Sequence, residues 1–304
     1  MSRISRYQES IDKFFKNKIC SIYSVKNKII LDELYNEINH IIAIIFLTTL
    51  NRQCIKVNIK FHGYYIACGI NILWLIIRLN ESDINNNKQY NNFFLESQII
   101  IYNLLHQNIN TFQNINNNKI LKIYYNAMLY LNIYILKCIA AHTYEYNSTI
   151  LNHKLIYKFN NINNTYKQSQ FKILNEDILN KYISDKYGSI CSIAFILGWI
   201  LAYGDVKYIP ELENIGINFG YIIKIFTDFK NLEKDIELSK DFSTNIIINV
   251  GIVDSYILFI KKKTHFIEQT LSLKIYNIII KELLDMIEKE IVNCLNKATI
   301  VLKN

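Results

Sequence analysis

The densest set of side chains able to do chemistry lies between Gly220 and Asp235, where the chain reads G-Y-I-I-K-I-F-T-D-F-K-N-L-E-K-D. Thr227, Asn231 and Asp235 are spaced four apart, so in a helix all three share one face, with Asp228 beside them. Oxygen donors gathered on one helix face are suited to a hard cation. Thr227 and Asn231 are neutral, however, and offer an ion–dipole interaction where a carboxylate offers full charge. The competing reading is a solvated helix end that carries Asp228, Glu233 and Asp235.

Other chemistry finds little support. The six histidines, His40, His62, His106, His142, His153 and His265, include no pair at HxxxH spacing. His142 with Glu145 and His265 with Glu268 have HxxE spacing, yet neither has a further His or Cys at ligand distance, and chance accounts for both. No serine sits in a GxSxG elbow, and no GxGxxG or GxxxxGK[ST] loop occurs. The six cysteines are scattered without a CxxC, as expected of buried free thiols in a reducing compartment. The sequons at Asn147 and Asn163 are expected by chance in so Asn-rich a chain.

The elements that must position these residues read as helices. The 304 residues are 51% hydrophobic, enough for a sizeable core, and include one proline and eight glycines. An all-β chain would need far more turn signals. Helices are expected over about 26–50, 63–79, 93–108, 119–141, 176–203 and from Pro210 to about Leu232, with a helix pair closing the chain. Residues 83–92 and 233–245 read as polar loops, and 142–170 as a long loop or a short helix pair. No linker or repeat divides the chain, so residues 1–304 are read as a single all-α domain. The net charge of +8 is spread along the chain, with one dense run at Lys261-Lys262-Lys263, and no aromatic-interleaved basic face argues for nucleic acid. The apolar stretches at 63–77 and 187–204 are read as core helices, not transmembrane spans. The charged first twenty residues carry no signal peptide pattern, and the expected location is the cytoplasm.

With its flanks, the 220–235 segment resembles the second aspartate-rich motif of the polyprenyl (trans-isoprenyl diphosphate) synthases, roughly G-x-x-F-Q-x-x-D-D-x-x-D. Gly220 and Asp228 match, Ile223 keeps the phenylalanine position apolar, Lys224 replaces glutamine, and Thr227 and Asn231 replace aspartates. The spacing also resembles the metal triad of terpene cyclases. Upstream, Lys186-Tyr187-Gly188-Ser189 resembles a K-T-G step, and Ala194 to Asp205 resembles the family's small-residue helix ending in Gly-Asp. The N-terminal half departs further. Asn80 and Glu81 stand where paired aspartates should be, with Asp83 nearby; no R-R-G follows and no G-G-K-R-x-R-P precedes. Phe61 to Tyr65 together with Asn245 to Gly251 resembles polyprenyl synthase-like proteins of large DNA viruses, whose AT-rich coding fits the Asn, Ile, Lys and Tyr bias; the host cytoplasm is then the expected location.

The resemblance implies an isoprenoid-synthase-type helical bundle of ten or more helices around an apolar cavity lined by Leu75, Ile76, Leu79, Ile193, Leu197 and Ile223. It implies Asp228, Asp235, Asn231, Thr227, Asn80 and Glu81 as metal positions for Mg²⁺ if the chain is active. Lys186, Lys240, Lys224, His62, Leu75 and Ile76 would meet substrate, with Asp228 and Lys186 nearest the chemistry. With both motifs worn, the expected role is a degenerate homologue that binds an isoprenoid, an isoprenyl diphosphate or a partner synthase subunit as a homo- or heterodimer. An active Mg²⁺-dependent prenyltransferase or terpene-synthase-like enzyme, and an interaction protein without ligand, are the alternatives.

Overall fold

The computed structural model describes residues 2–35, 40–57, 62–79, 88–112, 116–147, 150–160, 165–237, 244–297 and 300–302. Twelve α-helices are described: α1 Arg3–Phe14, α2 Val25–Tyr35, α3 Ile41–Val57, α4 Tyr64–Leu79, α5 Lys88–Ile109, α6 Asn117–Asn147, α7 Glu176–Ile183, α8 Ser189–Leu201, α9 Ile209–Glu237, α10 Ile246–Val250, α11 Ile252–Ser272 and α12 Ile278–Lys297.

Helix α8 is the axis of the bundle. All thirteen of its residues are buried, as its unbroken apolar sequence requires of a helix surrounded on every side. Helices α3, α4, α6 and α9 pack against it, α5 lies outside α4, and α11 and α12 lie outside α9. Small residues set the closest approaches. A Cβ at Gly198 would lie 2.9 Å from the Phe46 carbonyl oxygen of α3, and one at Gly216 would lie 2.4 Å from Ser192 Cα of α8. Pro210 falls in the first turn of α9, where its missing N–H costs no helical bond.

The helical bundle expected from the sequence is present, with three local differences. Residues 26–50 form not one helix but two, α2 and α3. They meet near His40, whose φ of 56° ends helical continuity; its ring lies 3.0 Å from Asp12 Oδ1 and 2.8 Å from Asn71 Nδ2. The stretch read as loop or helix pair holds two antiparallel strands, β1 Ile150–Asn160 and β2 Thr165–Leu174, and the short strand β3 Ile300–Leu302 pairs with β1 on its other side. The signal was available: alternation through Leu155, Tyr157 and Phe159, and again around Tyr166, flanks an Asn-rich run of sequence. Finally, α9 does not stop at Leu232 but continues to Glu237, which puts Glu233 and Asp235 on the helix. Among the described residues no helix is long and apolar enough to cross a membrane.

Candidate functional site

Between α7 and α8 the chain makes one π-helical turn, Ser184–Gly188, an irregularity that re-aims side chains and is frequent at functional sites. It holds Lys186 fully buried, with its ammonium 5.2 Å from the centre of the Tyr182 ring. Opposite stands α9. A Cβ at Gly220 would lie 2.5 Å from the Gly188 nitrogen and 2.6 Å from the Tyr187 carbonyl carbon, so the two backbones touch there. The glycines of both sequence motifs are therefore one contact, and it brings the two lysine-bearing segments together.

One turn beyond Gly220, Lys224 is buried, with its ammonium 5.2 Å from the Tyr187 ring centre and 5.8 Å from that of Tyr182. It donates to Asp228 Oδ1 at 2.7 Å, an i,i+4 ion pair almost wholly shut off from water. The other oxygen, Oδ2, accepts the Ile246 backbone N–H at 2.7 Å. Burial pushes the Asp228 carboxyl up to about 7, against the opposing pull of the Lys224 charge and the Ile246 N–H; the nearby Asp235 charge adds to the rise. Asn245 caps α10 by accepting from the Ile247 N–H at 2.9 Å, while its Nδ2 donates to the Asp228 carbonyl (3.2 Å) and to Asp235 Oδ2 (2.9 Å). Asn249 extends the network, accepting the Leu174 N–H from β2 at 2.8 Å.

The structure thus brings together Lys186, Lys224, Asp228 and Asp235. Thr227 is on the same helix, half-buried, and its hydroxyl donates back to the Ile223 carbonyl at 2.9 Å; Asn231 is half-buried one turn on. His62 is elsewhere. It lies on the surface beside Phe14, Tyr64 and Tyr65, at the opposite end of α4 from Trp74, which touches Tyr187. Ten residues of helix, roughly 15 Å, separate its neighbour Tyr64 from that contact. Asn80, Glu81 and Lys240 lie outside the described residues, as does the Leu79 side chain. Leu75, Ile76, Ile193, Leu197 and Ile223 are buried. Ile193 and Leu197 line one narrow apolar cleft between α4, α5, α6 and α8, and Ile76 lines a second between α4, α5 and α6. Each admits about one water-sized sphere, so the interior here is filled by side chains.

Sequence reasoning missed Tyr182, which shares its ring with both lysines, and Asn245, which ties α10 to the aspartate helix. Asn245 had a signal: an Asn directly before Ile246-Ile247-Ile248 is a helix N-cap pattern. What the cap would touch depends on the tertiary fold.

The donor set does not fit a Mg²⁺ ion. The Asp228 carboxylate already has a donor on each oxygen, Thr227 turns its hydroxyl to its own helix, and Asp235 accepts from Asn245. Among the described residues no group of three His, Cys, Asp or Glu side chains could hold a metal. Mg²⁺ gives up its water only for well-placed, charged oxygen ligands.

No family model and no curated protein matches the sequence. Solved structures do match in shape. A geranyltranstransferase from Thermotoga maritima superposes with a TM-score of 0.64 at 13% identity, covering 95% of this chain and 100% of that one. A geranyltransferase from Helicobacter pylori, complexed with magnesium and isoprenyl diphosphate, gives 0.60 at 15% identity over 97% of each chain. An isoprenoid synthase family member from Thermotoga neapolitana gives 0.60 at 11%, covering 92% of this chain and 98% of that one. Over nearly its whole length, this chain has the helical fold of the geranyltranstransferase-type isoprenoid synthases.

Proposed function

We propose that this chain is a degenerate isoprenyl diphosphate synthase homologue that acts by binding, with weak or no metal-dependent catalysis. The observation that carries the reading is the Lys224–Asp228 pair. The one aspartate retained at its family position in the second motif serves the packing of α9 against α10. A diphosphate leaving group requires cationic charge at its oxygens as it departs, and a carboxylate already neutralised by a lysine is poorly placed to recruit it.

Two kinds of partner suit the molecule. An isoprenoid or isoprenyl diphosphate is the ligand that the resemblance implies; the ammonium of Lys186 would serve its anionic end, and its chain would have to part the side chains that fill the two narrow apolar clefts. A second synthase subunit, or a second copy, matches the outer surface of α5 and α6. There Ile99, Leu121, Tyr125 and Leu136 are 71%, 65%, 68% and 65% exposed. The Tyr102–Asn132 hydrogen bond and the His106–Tyr124 ring contact set the two helices antiparallel, which places Ile99 level with Leu136. An apolar stripe of this extent marks an interaction surface.

The test is a calorimetric titration with geranyl diphosphate, with and without Mg²⁺, beside a product assay with isopentenyl diphosphate as co-substrate. Binding without turnover is the expected result. Mg²⁺-dependent turnover abolished by Asp228→Asn would overturn the reading in favour of an active prenyltransferase.

A further inference from the structure

We infer that Lys224 is a built-in replacement for the divalent cation: its ammonium supplies from within the helix the positive charge that a metal would bring to Asp228. The inference rests on the proposed reading of α9 as a former aspartate helix and goes beyond loss of activity, because it says what took the metal's place. Three observations converge. Lys224 is itself buried and lies 2.7 Å from Asp228 Oδ1. Asn245 Nδ2 ties the Asp228 main-chain carbonyl to the Asp235 carboxylate, and the Asp235 charge is near enough to act on the Asp228 carboxyl. Around the ammonium stand the Tyr187 and Tyr182 rings, whose faces favour a fixed cation and give no anionic ligand to a mobile one.

A buried carboxylate without a counter-charge is strongly unfavourable. In a metal-dependent site the ion provides that charge, and the apo protein tolerates its absence by keeping the site wet. Here the site is closed over by Ile246, Ile247 and Ile248 of α10, all buried, so the counter-charge must be permanent. A lysine one turn before the aspartate on the same helix meets that need without any exchangeable ion. This chain should therefore fold and hold its α9–α10 contact with no response to Mg²⁺, and one substitution should uncover a dependence on it.

Lys224→Gln keeps an N–H donor on a side chain one atom shorter while removing the charge. The natural protein should show no saturable Mg²⁺ binding by calorimetry and no change in thermal midpoint between EDTA and millimolar Mg²⁺. The Lys224→Gln protein should gain Mg²⁺ affinity by about tenfold or more and rise in midpoint as Mg²⁺ is added, since a ligand bound only by the folded state stabilises it. The gain should disappear in Lys224→Gln/Asp228→Asn, a neutral pair that should fold in EDTA. Saturable Mg²⁺ binding by the natural protein, abolished by Asp228→Asn, would overturn the inference. So would a Lys224→Gln protein that folds and ignores Mg²⁺, or one that stays unfolded with and without it while the double variant folds. These readouts use the metal alone, so a failure here leaves the isoprenoid and partner reading to its own test.

Discussion

Asp228 is ionisable, buried and hydrogen-bonded on both oxygens, and its environment fixes how stability responds to pH. In the unfolded chain its carboxyl loses its proton near the ordinary value of 3.8; in the folded protein burial holds the proton up to about pH 7. Between those values the folded state binds more protons than the unfolded one, so this group makes stability fall as pH rises from about 4 to about 7, with no further loss above. His40 acts in the opposite sense. Burial lowers its pKa, outweighing the pull of Asp12 and the Asp12 and Asn71 hydrogen bonds, so it contributes stability that grows as pH rises toward its unfolded value of 6.5. The two are separated by variant, not by the bulk curve. In urea unfolding at pH 5 and pH 7.5, Asp228→Asn should lose less stability on going to the higher pH than the natural protein does. An unchanged difference would mean that the carboxyl is ionised throughout.

Among the elements, the contact of α9 with the π-helical turn decides the site. Gly220 and Gly188 allow backbone to meet backbone, and Gly216 does the same against Ser192 one turn earlier. A methyl group at position 220 has only main chain to push against, and main chain cannot rotate away. Gly220→Ala should therefore cost about 1–3 kcal/mol or somewhat more by overpacking, read as a lowered urea midpoint with an unchanged slope. It should also part the lysine-bearing segments. Gly69→Ala is the control: its added methyl meets nothing nearer than 3.8 Å, so helix propensity should make it neutral or stabilising by up to about 1 kcal/mol. A Gly220→Ala protein as stable as the Gly69→Ala one would show that helix propensity, not the close approach, governs position 220.

For the whole molecule, the question is what covers the outer face of α5 and α6. The bundle buries an interior without using Ile99, Leu121, Tyr125 or Leu136, and exposed apolar side chains at that density favour association. The natural protein should sediment above the 36.0 kDa of one chain. Leu136→Lys with Tyr125→Glu should return it to a monomer with its far-UV helix signal intact. A natural protein that is monomeric at micromolar concentration would point to a different subunit as the occupant. The thiols give a second whole-molecule check. All six cysteines are free and five are buried, with burial raising the Cys54, Cys68, Cys138 and Cys191 thiols, so reducing and non-reducing gels should run alike.

By itself the sequence determined the helical class, because few breakers and long apolar runs leave little else, and it located α4, α8 and the start of α9 to within a few residues. It also singled out Lys186, Lys224 and Asp228, since their order and spacing around Gly188 and Gly220 resemble a family pattern. Tertiary structure decided what those residues do. Whether an aspartate on a helix face meets a metal or a lysine depends on burial and on which backbone N–H arrives from elsewhere, here Ile246, eighteen residues on. The hairpin was missed because its short alternation through Leu155, Tyr157 and Phe159 is set among Asn- and Lys-rich chain, which reads as loop until strand pairing supplies its hydrogen bonds. His62 was offered as a nearby cation where the family's G-G-K-R-x-R-P is missing, yet it lies just before α4, at the other end of that helix from Trp74 and Tyr187, because a helix separates its ends by about 1.5 Å per residue. Local pattern fixes which element a residue belongs to; the partners that set its charge state and its chemistry come from other elements, through contacts that no local pattern encodes.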